Sequence, residues 1–150
     1  MQGVIDRRVH DYYWLEELSC AVTTLKILSE LYEQEPHPQV MDAAFGLNAG
    51  RCGSQCGLVE GALLFIGIYG KHKELDSAQL KDRCREFCTA FQNRFGSLLC
   101  KELRPQGFDP QNPPHLCETL TKQAISFSVD FVGEKLNTHT DYFSNKSKVK

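Results

Sequence analysis

Cysteine is the residue type in this chain best suited to chemistry. It occurs seven times in 150 residues, as Cys20, Cys52, Cys56, Cys84, Cys88, Cys100 and Cys117. A thiolate attacks disulfides and ligates soft metals, whereas a buried, protonated thiol is a small apolar side chain. The densest signal is the run Gly50-Arg51-Cys52-Gly53-Ser54-Gln55-Cys56-Gly57-Leu58-Val59-Glu60-Gly61. There a glycine-rich loop feeds an apolar helix, with Cys56 at the junction. The first backbone N–H groups of a helix lack internal partners and favour negative charge. The expectation is therefore a Cys56 thiolate whose pKa falls below the ordinary value of about 8.5. The competing reading is a buried Cys56 with glycines that serve packing alone. Gly57 and Gly61, four residues apart, leave a bare strip on which another backbone can close in.

Cys52 and Cys56 form a Cys-x-x-x-Cys pair, a spacing that permits a disulfide or shared metal ligation but signals less than Cys-x-x-Cys. Cys84 and Cys88 repeat that spacing on an apolar helical stripe with Leu80, Phe87 and Phe91, which favours core packing over ligation. Cys100 follows Ser97 by three residues, Cys117 follows Asn112-Pro113, and Cys20 follows Ser19. Each of these, like Cys56, can occupy an early helical turn. His115, two residues before Cys117, could tune it, but the solvated reading is favoured. Glu60 is the one charge inside the central apolar segment; it is expected to reach the surface, the alternative being a buried carboxylate with a raised pKa beside the cysteine site. No P-loop lysine, covalent-haem Cys-x-x-Cys-His or nucleophile-elbow serine occurs.

The elements that must position these residues read as helices. Strict two-residue alternation is absent. The expected architecture is all-α: a single-domain bundle of five to six helices around a central apolar helix at about 56–70. A helical pattern runs over Asp6–Tyr32, with a candidate break near Ser19, and stops at Pro36 and Pro38. Shorter helices follow at Gln39–Phe45 and Leu98–Leu103. Longer ones span Ala78–Phe95, capped by Ser77 and ended by Gly96, and Pro114–Leu136. The domain covers 1–136, and 137–150 is a polar tail expected to fray.

Composition narrows the function classes. The chain is 41% hydrophobic and 24% charged with a net charge of −2, so no nucleic-acid partner is expected. The apolar stretch Gly57–Gly70 is too short for a membrane span of roughly 20 residues, so no membrane insertion is expected. The start MQGVIDRRVHDYYWLEEL lacks the layout of a secretory signal. With an odd cysteine count, that favours a cytoplasmic protein without a disulfide framework.

These residues resemble a known family. Cys56-Gly-Leu-Val-Glu-Gly61 is similar to the CGAxxG signature of the C-GCAxxG-C-C family, small helical proteins described as redox-active. In order and context, Cys20 resembles the family's first cysteine, Cys56 its second, Cys100 its third and Cys117 its fourth, over about Val9–Val132. Leu58 departs from the motif alanine, and Cys52, Cys84 and Cys88 are additional. The resemblance implies a redox-active protein, or a thiol oxidoreductase-like one, that uses Cys56 as the attacking thiolate with Cys20, Cys100 and Cys117 as partners. It equally allows a metal module with an iron–sulfur cluster or zinc on the same four thiolates. A helical interaction domain with structural cysteines is the third reading. The redox partner protein and the substrate are not specified, and a homodimer is left open.

Overall fold

The computed structural model describes residues 1–137. Among these, the chain folds into seven α-helices and two single-turn 3₁₀-helices, with no β-strand. The α-helices are α1 (Gln2–Trp14), α2 (Cys20–Leu31), α3 (Pro38–Ala44), α4 (Gly57–His72), α5 (Ser77–Phe95), α6 (Cys100–Leu103) and α7 (Glu118–Lys135). The 3₁₀-helices are Ala49–Cys52 and Pro114–Cys117. The protein is an all-α single domain, as its periodicity predicts. The expected tail at 137–150 falls, beyond Asn137, outside the described residues.

The count of five to six helices is corrected to seven, because the first helical pattern divides completely. Ser19 leaves helical geometry (ψ 164°), and its hydroxyl accepts a bond from the Val22 N–H. That side-chain cap starts a new helix and leaves α1 to end at Trp14. The start of α5 is also shifted by one residue. Asp76, not Ser77, is the cap, and it forms a reciprocal capping box with Gln79. Gly96 ends α5 at φ +95°, a left-handed conformation that glycine adopts without steric cost.

Helix α4 is the hub, packing against α2, α5 and α7. Its sequence GLVEGALLFIGIYGKH is apolar nearly all round, as a helix enclosed by others must be. Against α2 the approach is very close. A Cβ at Gly57 would lie 2.8 Å from both the Ala21 nitrogen and the Cys20 Cβ. A Cβ at Gly61 would clash with the Ala21 carbonyl and come within 2.8 Å of the Thr24 Cβ. The bare strip is thus the seat of α2. The far side of the core is aromatic, with Phe87 edge-on to Phe131 at 5.2 Å between centroids.

Helix α7 closes the bundle across α1. The Tyr13 hydroxyl meets the Thr121 hydroxyl at 2.7 Å in the interior. At the surface, Glu118 accepts bonds from Trp14 Nε1 and Lys122 and contacts His10. Burial raises its pKa, but these partners outweigh it and bring the carboxyl down to about 2.

Candidate functional site

Each of the four cysteines singled out by order and context stands at a helix start. Cys20 is the first residue of α2, Cys56 the N-cap of α4, and Cys100 the first residue of α6. Cys117 ends the second 3₁₀-helix and is the N-cap of α7. All four line one cavity of about 250 Å³. Cys52, Cys84 and Cys88 do not line it.

The local fold explains the convergence. Gln55 and Leu99 form an isolated antiparallel bridge. The Cys56 N–H donates to the Leu98 carbonyl and the Cys100 N–H to the Ser54 carbonyl, each at 2.8 Å. These paired bonds hold the starts of α4 and α6 side by side. The glycine loop gives the remaining room. A Cβ at Gly50 would sit 3.2 Å from the Cβ and Sγ of Cys100, and Gly57 admits Cys20. Two glycines of one loop therefore make space for two of the four cysteines.

Cys56, Cys100 and Cys117 are only 5%, 8% and 6% exposed, and Cys20 is half-buried. Burial disfavours the anion. It pushes the Cys20 thiol up to about 11, with the Tyr13 hydroxyl bond acting in the opposite direction. It raises Cys56 further, and nearby Cys20, Cys100 and Cys117 add to the rise, because like charges would share one small space. The expectation of a depressed Cys56 pKa is therefore corrected. The Leu58 N–H does favour the thiolate, but one backbone donor is outweighed by the loss of water. Burial also raises Cys117, against the opposing charge of Arg104.

Arg104 is the functional candidate that the sequence analysis passed over. It caps the C-terminus of α6, four residues after Cys100, and so lies on the same helical face. Its Nε donates to Cys100 Sγ at 3.4 Å, and its Nη1 donates to the Asn112 carbonyl at 3.3 Å. That four-residue spacing was the available signal.

The other candidates lie elsewhere. Cys52 is exposed on the first 3₁₀-helix. Cys84 and Cys88 are half-buried on α5 and packed against the core, where burial raises both thiols. His115 is half-buried and stacks on the exposed Trp14 at 4.0 Å. Glu60 does not reach water freely as expected. It is half-buried, its Oε2 has no hydrogen-bond partner, and burial raises its pKa.

Cysteine sulfurs in a shared cavity suit two-electron thiol–disulfide chemistry, which needs a nucleophilic sulfur and a neighbour to complete a bridge. All seven cysteines stand as free thiols. Among the described residues, no three His, Cys, Asp or Glu side chains are grouped to hold an ion. No helix among them is long and apolar enough to cross a membrane.

Comparison with known proteins agrees with the pattern of cysteines. A family model described as "Putative redox-active protein (C_GCAxxG_C_C)" matches residues 18–131, a span that includes Cys20, Cys56, Cys100 and Cys117. No curated protein and no solved structure matches the chain. Because the match covers most of the chain, this protein belongs to the C_GCAxxG_C_C family.

Proposed function

We propose that this chain carries out thiol–disulfide chemistry at the cavity formed by Cys20, Cys56, Cys100 and Cys117. Family membership supports a redox role in general terms. The observation that carries the finer reading is that all four cysteines, drawn from four helix starts, line one cavity. In the reaction, one thiolate attacks a disulfide R–S–S–R. A bond forms between the protein sulfur and one R–S group, and the other leaves as RS⁻. A neighbouring cysteine loses its proton to water and displaces the second RS⁻. The protein is left with one disulfide, having given two electrons to the substrate.

The test is to oxidise the reduced protein with excess oxidised glutathione and map its cysteines by mass spectrometry. The expected result is a disulfide within the set Cys20, Cys56, Cys100 and Cys117, with Cys84 and Cys88 still alkylatable. Four unchanged thiols would overturn the proposal in favour of structural cysteines. A stoichiometric metal on these thiols in the purified protein would overturn it in favour of a metal module.

A further inference from the structure

We infer that Arg104 is a positioning residue that selects Cys100, among the four cavity cysteines, as the thiol that attacks a disulfide. This inference rests on the thiol–disulfide reading of the cavity. The four sulfurs differ in the partner each one has. Cys20 pairs with the neutral Tyr13 hydroxyl. Cys56 has the backbone N–H of Leu58 as its donor among the described residues. Cys117 feels the charge of Arg104, but no hydrogen bond joins the two. Among the described residues, Cys100 is the one of the four that accepts a bond from a guanidinium, at 3.4 Å.

A guanidinium keeps its proton throughout the pH range of proteins, so its N–H is a permanent charge-assisted donor. Such a donor stabilises a thiolate in a way that a hydroxyl or single amide does not. The geometry is held at both ends. The Arg104 Nη1 bond to the Asn112 carbonyl fixes the guanidinium plane. The Cys100 N–H bond to Ser54 fixes the backbone of the sulfur it serves. Gly50, without a side chain, leaves space beside Cys100 Sγ. The other charged groups in the cavity wall are Arg51 and Glu17. Arg51 is committed to the Pro110 carbonyl at 2.9 Å.

The step is a simple exchange. The Cys100 thiolate attacks one sulfur of R–S–S–R, the S–S bond breaks, and RS⁻ departs with the electron pair. The mixed disulfide Cys100–S–S–R remains, for a neighbouring cysteine to resolve.

The experiment uses the reduced full chain and dithiodipyridine, a neutral disulfide that carries no charge for arginine to steer. The fastest reaction phase is timed by stopped flow at neutral pH, and mass spectrometry locates its label. The expected result is that Cys100 takes the first label. Arg104→Met should slow that phase by about threefold, because loss of the charge-assisted donor is partly offset by the greater nucleophilicity of a more basic sulfur, and spread the label over other cysteines. Arg104→Lys, which keeps the charge, should recover a substantial part of the rate at Cys100. Arg85→Met, at an exposed position of α5, should change nothing. Far-ultraviolet circular dichroism checks the fold of each variant. If Arg104→Met is misfolded, the comparison of the wild type with Arg104→Lys decides the labelling site. A first label on another cysteine would overturn the inference, as would an undiminished Cys100 rate in a folded Arg104→Met protein. Either result with the glutathione-driven disulfide still forming sinks the role of Arg104 alone. Absence of that disulfide sinks the underlying reading.

Discussion

A thiol is more acidic in a protein than in water only where its surroundings favour the anion more than water does. In this cavity burial works against the anion at Cys20, Cys56 and Cys117, and neighbouring thiols add to the effect at all three. The consequence for stability has a definite sign. Burial pushes the Cys20 thiol up to about 11 in the fold, above the ordinary thiol range it keeps in the unfolded chain. The unfolded chain therefore ionises first. The stabilising contribution is complete below pH 9 and is lost as pH rises toward 11. Burial raises Cys56 as well and extends the loss upward. Chemical denaturation of the reduced protein between pH 8 and pH 11 should show a progressive fall in unfolding free energy. In a Cys20→Ser variant the slope of that fall should be smaller. An identical slope would mean that Cys20 keeps its ordinary acidity in the fold.

At the scale of elements, the contact between α2 and α4 decides how near Cys20 comes to Cys56. The two helices meet at Gly57 and Gly61, where any side chain meets backbone atoms of Ala21. Backbone cannot rotate away as the end of a long side chain can. A Gly61→Ala substitution is therefore expected to push α2 outward. Overpacking of this kind costs about 1–3 kcal/mol, which exceeds the helix-propensity gain of roughly 1 kcal/mol from removing a glycine. The measurement is urea denaturation of the variant against the wild type, with net destabilisation expected. A Gly67→Ala variant is the control. A Cβ at Gly67 meets nothing within 4 Å, so the same propensity gain should appear there without the clash. If both variants were equally stabilised, α2 would not be seated on α4 as closely as described.

For the molecule as a whole, the cavity joins segments that lie far apart along the chain, from Cys20 to Cys117. A disulfide between two of them would tie distant parts of the unfolded chain together. Cys56 and Cys100, for example, are brought together by the bridge between Gln55 and Leu99. Cross-linking across a loop of that length stabilises by roughly 3–4 kcal/mol in the chain-entropy account. Oxidised protein is therefore expected to melt at a higher temperature than reduced protein, and dithiothreitol should reverse the shift. A lower melting temperature on oxidation would indicate that bridging strains the fold. Much of this architecture was legible in the sequence. The near-absence of polar residues from Gly57–Gly70 marked the central helix, and the spacing of Leu80, Phe87 and Phe91 marked the buried face of α5. Caps and breakers placed Cys20, Cys56, Cys100 and Cys117 at helix starts, because those signals are local and need only a few neighbouring residues. The sequence did not determine what surrounds each sulfur. Whether a helix start is wet or dry depends on which other helices cover it, and that cover reversed the expected acidity of Cys56. Only the tertiary structure decided that the four helix starts share one cavity, and that Arg104 reaches the sulfur of Cys100 while the Asn112 carbonyl holds it there. The physical reason is that desolvation and hydrogen-bond partnership are properties of three-dimensional neighbours, whereas periodicity and capping are properties of neighbours in the chain.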